Sequence, residues 1–446
     1  MSSQENGKQL EFNSAYLNDY LAMVEDTESP RIFHIWSAIF AISASLGRRC
    51  WLPFGMFNLY PNMFVLLVGA PGTRKTTATN QSKRILKATT GVRFAPEDTG
   101  FQRQGLILAL QGPEAQDAEF LNGTELAIDN NGLMSLTDLM SVTNEPDEET
   151  VQAFVDQADK HHVAIVASEF SRVIGQNNLA MMDFLGSRYD GEDYEYQTKQ
   201  THIKLKNTLM NMLACTTPVS IANSMPPQAG GQGFLSRIIL VYGARKYKQV
   251  PWPMAPEVDL VGRVKDVIDN IYREMSGSFS LTEDARRYCE SIYGYTIEIT
   301  DSRFGYYQDR RYTHLLKMAM CIAASRGTME IETIDCEEAH MILKATELGM
   351  PDALGEFGMN PLAQLKQEIL ETLRATHTPH SMEQVIAMFH RDARSNEIVE
   401  VLNDLTRTKQ IVVQQSATGS RLVSAVFTRQ NTEEAMMQTL REMMRT

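Results

Sequence analysis

The sequence predicts an α/β fold built on a mainly parallel sheet with helices on both faces. Three observations carry this. A continuous apolar run, Met63 to Val68, has strand length and ends in the turn Gly69-Ala70-Pro71-Gly72, and Lys75 to Ala88 then has helical composition. Four further strand candidates follow at Glu125 to Ile128, Val163 to Ala167, Leu209 to Cys215 and Ile238 to Tyr242, separated by helical stretches. The composition, 43% hydrophobic and 22% charged over 446 residues, is that of a globular chain able to bury a large core, which excludes a disordered or coiled-coil reading of the bulk.

Taken in order, residues 1–60 form an N-terminal helical region. Tyr16, Leu17, Tyr20, Leu21 and Met23 make one helical stripe, and Ile32 to Leu46 a second, more buried one. Pro53, Gly55 and Pro61 turn residues 51–62 into a loop or short hairpin. Residues 61–255 hold the strands of the core. Residues 256–348 read as a helical lid, with helices over 280–300 and 308–348; Thr282 is the expected N-cap of the first, and Asp335 with Glu338 the expected capping box of the last. Three glycines and two prolines between Gly349 and Pro361 mark a linker over 349–361. Residues 362–430 give three helices, the second capped by Ser381 with Gln384, and then a hairpin around Ala417-Thr418-Gly419-Ser420. This is the pattern of a winged helix. Residues 431–446 are a C-terminal helix or tail.

Several classes are set aside. The five cysteines, Cys50, Cys215, Cys289, Cys321 and Cys336, contain no CxxC pair, so buried thiols in a reducing cytoplasm are expected rather than zinc or redox chemistry. The polar start, Met1 to Gln9, lacks the apolar segment of a secretory signal, and no run is apolar enough to span a bilayer. The net charge of −13 argues against a protein that coats nucleic acid with its whole surface, but allows a ring with a basic inner channel. Most of the 25 methionines are expected to be core filler.

The turn after the first core strand carries the chemistry. Gly69-Ala70-Pro71-Gly72-Thr73-Arg74-Lys75-Thr76 is a near match to GxxxxGK[ST], the phosphate-binding loop. Such a loop needs small residues so that successive backbone N–H groups point at phosphates, and the following helix adds the partial positive charge of its N-terminus. The candidate ATP-binding residues are Gly69, Ala70, Pro71, Gly72, Thr73, Arg74, Lys75, Thr76 and Thr77. Lys75 would bridge the β- and γ-phosphates, and the Thr76 hydroxyl would ligate Mg²⁺. Arg74 stands where the strict motif has glycine, so its backbone dihedrals are expected to suit a residue with a Cβ. A carboxylate at a strand end is also required. Val163 to Phe170 supplies Glu169 to orient the hydrolytic water, with Ser168 in the slot that would hold metal directly or through water. Asp129 ends the other candidate strand and reads as a turn residue before Asn130-Asn131-Gly132.

In order, GAPGTRKT, SEFSR, NMLACTTP and GFLSRIILVY resemble the AAA+ core of the minichromosome-maintenance helicases. The chain also resembles P-loop ATPases of phages and mobile elements, which share the RK[ST] loop, Tyr189-Asp190-Gly191 and the GFLSR run. The resemblance covers about residues 30–348. It implies that Thr216 or Thr217 takes the sensor place and that Arg237 is an arginine finger reaching into a neighbouring subunit's ATP. It also implies that Arg310 or Arg311 is the lid arginine. Between the acidic and sensor strands, Lys199, His202, Lys204 and Lys206 follow an acidic run, and the last three alternate so as to share one face of a strand. In the resembling helicases a hairpin here projects a basic residue into a channel, where charge alone tracks a single strand; a solvated hairpin face accounts for the pattern equally well. In the tail, Glu397, Glu400 and Asp404 on the third helix make protein contact as reasonable as DNA reading.

The expected function is a homo-oligomeric, hexameric DNA helicase or translocase acting on single-stranded or forked DNA in phage or mobile-element replication, in the host cytoplasm, with replication partners met through the winged helix and no membrane. A helicase loader or protein-remodelling ATPase, and a nucleotide-gated assembly protein that does not hydrolyse, are the alternatives.

Overall fold

The computed structural model describes residues 12–96, 102–111, 161–197, 202–226, 233–295, 299, 301–355, 361–376, 379–390, 393–415 and 421–425. The fold is mixed α/β around a parallel sheet of four strands. These are β3 (Phe64–Val68), β4 (His162–Ala167), β7 (Leu209–Thr216) and β8 (Ile238–Tyr242). Their spatial order is β4-β7-β3-β8. Every residue of β3, β4 and β7 is buried. That is why these runs read as unbroken apolar stretches rather than alternating ones. Phe94 adds an isolated parallel bridge to Ala164 on the outer side of β4.

The order places β3 where the winding reverses. From β3 the chain passes through α3 (Lys75–Thr89) to β4 on one side, comes back to β7, and then crosses to β8 on the other side. The crevice at the carboxyl end of β3 is therefore the topological switch point, the place where open α/β sheets bind ligands. The strand candidate at Glu125 to Ile128 and the turn after Asp129 lie outside the described residues.

The helices around the sheet share its core. Ahead of β3 come α1 (Ala15–Met23) and α2 (Arg31–Leu46), then the antiparallel hairpin of β1 (Cys50–Phe54) and β2 (Phe57–Leu59). All sixteen residues of α2 are buried, against α3, β7, β8 and helices from later in the chain. One apolar cluster runs from Phe12 to Leu354, so the N-terminal helices are part of the sheet's own core rather than a flanking region. One chain of buried polar groups runs through it: His162 Nε2 lies 3.0 Å from Asn211 Oδ1, Asn211 Nδ2 donates to Ser43 Oγ, and Ser43 donates to the Pro61 carbonyl at 2.7 Å.

Between the sheet strands lie α4 (Arg103–Gln111), α5 (Phe170–Ile174), α6 (Leu179–Tyr189), the antiparallel pair β5 (Tyr194–Gln197) and β6 (His202–Leu205), and α7 (Pro218–Ser224). After β8 come α8 (Val258–Glu274), the short strands β9 (Gly277–Ser278) and β10 (Ser280–Leu281), and α9 (Glu283–Ser291). Thr282 caps α9 by accepting from the Ala285 N–H at 3.2 Å.

The helical stretch expected over 308–348 is made of two helices, α10 (Gly305–Ser325) and α11 (Thr333–Glu347). Gly327, at φ +81°, ends the first, and β11 (Glu330–Ile331) then pairs with β10. The capping box of α11 is formed by Glu332 and Asp335, not by Asp335 and Glu338. Glu338 is one turn too far into the helix to cap it; its carboxylate accepts from the Asn13 N–H instead. The expected linker also starts as structure: α12 (Met350–Leu354) buries Met350, Ala353 and Leu354. Its glycine- and proline-rich composition hid three core residues.

The tail has a second apolar cluster, from Leu365 to Val423. It contains α13 (Pro361–Thr376), β12 (His380–Ser381), α14 (Met382–Phe389), α15 (Ser395–Arg407), β13 (Ile411–Gln415) and β14 (Arg421–Ala425). The three strands form an antiparallel sheet ordered β12-β14-β13, and Ser381 with Gln384 makes the expected capping box. β12 has two residues, too short for periodicity to reveal. The tip of the hairpin and residues 431–446 lie outside the described residues. Among the described residues no helix is long and apolar enough to cross a membrane.

Phe40, fully buried on α2, tests how far the sheet leans on this helix. Phe40→Ala should cost about 3–5 kcal/mol in urea unfolding; a loss below ~1 kcal/mol would show that α2 is dispensable packing.

Candidate active site

The loop after β3 is held from both sides by backbone. The Gly69 N–H donates to the Thr216 carbonyl at 3.3 Å, and the Gly243 N–H to the Val68 carbonyl at 2.9 Å. A Cβ at Gly69 would stand 2.4 Å from the Gly243 carbonyl oxygen, so the close approach excludes any larger residue. Ala70, Pro71 and Gly72 are exposed, and Gly72 takes φ +86°. Thr73 turns the chain back, its N–H and hydroxyl both donating to the Ala70 carbonyl.

Arg74 then adopts φ 61°, ψ 32°, the left-handed region, and begins α3. The loop keeps the backbone shape that glycine supplies in the strict motif, against the expectation of dihedrals suited to a Cβ. For an L-residue this conformation costs roughly 1–2 kcal/mol. The Arg74 side chain lies on Glu28, with Nε donating to Oε2 at 2.7 Å.

Lys75 is buried and curls back over the loop. Its Nζ donates to the Gly69 carbonyl at 2.6 Å, to the Ala70 carbonyl at 3.0 Å and to Thr73 Oγ1 at 3.4 Å. Burial pushes this amine below the ordinary lysine range, opposed by the nearby Cys215 and Glu169. Thr76 and Thr77 are exposed on the first turn of α3, where a helix presents N–H groups that have no intrahelical acceptor. Ser168 and Glu169 are exposed just past the end of β4.

The sensor alternatives separate. Thr216 is buried at the end of β7, and its hydroxyl donates to the Thr217 carbonyl at 3.3 Å. The Thr217 hydroxyl is taken up as the N-cap of α7, accepting from the Ser220 N–H at 3.1 Å.

A second cluster gathers around Asp190, at the end of α6. Arg237, closing the 3₁₀ turn Leu235–Arg237, donates from Nε and Nη2 to Asp190 Oδ2 and from Nη1 to the Gly233 carbonyl. Arg310 donates to Asp190 Oδ1 at 3.2 Å. Arg311 points elsewhere, into a buried pair with Glu347 at 2.6 Å. Arg310 and Arg237 therefore stand together on one carboxylate, and Arg311 has a structural role. Behind them lies Lys317, which donates to the Asn62 carbonyl at 3.0 Å and to its Oδ1 at 2.8 Å, with Tyr189 beneath it. Burial pushes this amine down to about 7; Asp190 opposes the shift, and Arg310 and Arg237 add to it. Composition alone did not single out Asp190 or Lys317 as charged partners: Asp190 is an ordinary acid before a glycine until folding brings two arginines to it.

The basic hairpin is partly described. Lys204 is exposed on β6 and pairs with Glu195 at 3.5 Å; Lys206 is exposed just beyond it, while Ile203 and Leu205 face the core. His202 starts β6 opposite Gln197. Lys199 lies outside the described residues. The hairpin base is fixed by the Tyr194 ring, which has the Arg188 and Arg103 guanidinia 4.7 and 5.8 Å from its centroid.

The donor set fits a nucleoside triphosphate with Mg²⁺. The loop offers one amine and a helix N-terminus to phosphates, and Thr76 and Ser168 offer hydroxyls to a hard cation. Among the described residues no group of three or more His, Cys, Asp or Glu is placed to hold a metal. Compared with known proteins, the sequence matches no family model and no curated protein.

Lys317 gives a pH test. Its amine is held below the unfolded value, so between about pH 7 and 10 the unfolded chain binds the extra proton and wild-type stability should rise with pH. Lys317→Met should lack that rise; parallel pH–stability curves for the two proteins would contradict the burial of a titrating amine.

Proposed function

We propose that the chain is a P-loop ATPase of AAA+ type that works as a homo-oligomeric, hexameric ring and translocates on single-stranded or forked DNA as a helicase. One observation carries the nucleotide part of this reading: Lys75, buried at the switch-point end of the central strand, has its amine on the Gly69 and Ala70 carbonyls. A phosphate chain would replace these weak acceptors with charged ones, which make shorter and stronger bonds.

In this reading residues 69–77 hold the triphosphate, Lys75 neutralises its terminal charge, and Thr76 with Ser168 holds Mg²⁺. The metal would supply charge neutralisation between the phosphates. Glu169, exposed at the end of β4, orients a water and accepts its proton. Its charge opposes the downward push that burial gives the Lys75 amine, which supports this pairing. Arg237, with Arg310 beside it, serves a neighbouring subunit's site; a guanidinium there stabilises the charge of the transferring phosphoryl group. Lys204 and Lys206, on the exposed face of their hairpin, contact the DNA backbone by charge. Residues 361–425, with three helices and a β-hairpin, form a winged helix that meets DNA or a replication partner.

Ser168 favours a second reading. With a hydroxyl where an acidic metal ligand is expected, the chain would bind ATP and assemble without turning it over.

Lys75→Ala should abolish ATP binding in a titration with a fluorescent analogue; retained affinity defeats the nucleotide reading. Glu169→Gln should keep binding and lose about 10²–10⁴-fold in turnover. Absence of turnover in the wild type with Mg²⁺, ATP and single-stranded DNA would select the assembly reading. Mixed rings of Arg237→Ala and wild-type subunits should lose activity faster than the wild-type fraction falls. A proportional decline would mean that Arg237 does not act across a seam.

A further inference from the structure

Glu28 lies far from the loop in sequence, in the turn between α1 and α2, yet three groups from two other segments meet on its carboxylate. Arg74 Nε donates to Oε2 at 2.7 Å, Lys246 Nζ lies 2.8 Å from Oε2, and the Val250 N–H donates to Oε1 at 3.3 Å. The Glu28 carbonyl also accepts from the Tyr247 N–H at 3.0 Å. Its side chain is only 16% exposed, whereas that of Arg74 is 53% exposed. The carboxylate is thus held by the chain after β8, and Arg74 is its more exposed partner. Lys246 and Arg74 together hold this carboxyl down at about 2.

Arg74 is also the residue whose backbone conformation the loop cannot do without. At φ 61° it turns the chain from Thr73 into the first turn of α3, and its carbonyl accepts from the Thr77 N–H at 3.1 Å. Glycine adopts this conformation freely, and arginine resists it. Something outside the loop has to favour the left-handed form, and the only acidic partner recorded for Arg74 among the described residues is Glu28.

We infer that Glu28 is a positioning residue for the phosphate loop: its ion pair holds Arg74 in the left-handed conformation and so replaces the glycine that the loop lacks. The inference rests on the reading of residues 69–77 as a nucleotide site. It adds a requirement that the motif itself does not contain, a carboxylate from the α1–α2 turn anchored by the segment after β8. Glu28 touches neither phosphate nor metal in this scheme; it acts through Arg74.

The test is a double-mutant cycle in the full chain with Glu28→Gln and Arg74→Gly. Glutamine keeps the acceptor for the Val250 N–H and removes the charge that Arg74 and Lys246 share at Oε2, and glycine needs no partner to take φ near 60°. Glu28→Gln alone should weaken binding of a fluorescent ATP analogue about 5–30-fold. Arg74→Gly sets its own baseline of affinity, and adding Glu28→Gln to it should cause no further loss. Amide hydrogen exchange of residues 69–76 without nucleotide should follow the same pattern, faster in Glu28→Gln and unchanged by that substitution when residue 74 is glycine. Equal losses from Glu28→Gln in both backgrounds, or none in the wild-type background, would overturn the inference. A wild-type chain that binds no ATP would remove the nucleotide reading while leaving the exchange cycle to decide whether Glu28 holds the loop.

Discussion

The contact on which the site depends is between two glycines. Gly69 and Gly243 follow the parallel neighbours β3 and β8, and the space where a Gly69 Cβ would sit is taken by the Gly243 carbonyl. Gly243 is itself pressed from behind, because a Cβ there would meet the Phe33 ring at 2.6 Å and Pro30 at 2.9 Å. The loop after β3 and the end of β8 therefore meet backbone to backbone, and the Pro30 and Phe33 side chains at the start of α2 press on Gly243 from behind. This stack fixes the height at which the loop leaves the sheet, and with it the two carbonyls that receive the Lys75 amine. The fully buried α2 is the floor of the site.

Each of the two charged clusters sets one carboxylate against two cations, and they differ in what closes them. At Glu28, one carboxylate faces Arg74 and Lys246, in an arrangement closed by backbone donors from Tyr247 and Val250. At Asp190, one carboxylate serves Arg237 and Arg310, with the Lys317 amine buried behind. A carboxylate shared by two guanidinia leaves their remaining N–H groups to be satisfied from outside, which suits a surface that meets an anion. Burial is what pushes Lys317 toward its neutral form, and Asp190 opposes that push more strongly than either arginine adds to it.

Much of the architecture was legible in the residues. The β3 run, its glycine turn, the strands at Val163, Leu209 and Ile238 and the caps at Thr282 and Ser381 rest on local rules, on strand-length apolar runs and on a hydroxyl before a helix, and these survive in the fold. What failed depended on context. The glycines and prolines of 349–361 signal a chain break, but Met350, Ala353 and Leu354 had a hydrophobic surface to settle on. Asp335 and Glu338 have capping spacing, yet Glu332 reaches the helix start first.

The sequence by itself determined the order of strand, loop and helix, the chemistry offered at Lys75, Thr76 and Glu169, and the apolar character of every sheet strand. It did so because each depends on neighbours a few residues away. Only the tertiary structure decided that Arg74 is left-handed and lies on Glu28, and that Arg310 rather than Arg311 joins Arg237. Those outcomes are settled by groups 46 residues apart for Arg74 and Glu28, and 120 apart for Arg310 and Asp190. At such separations only the packing of the whole core determines which charges meet.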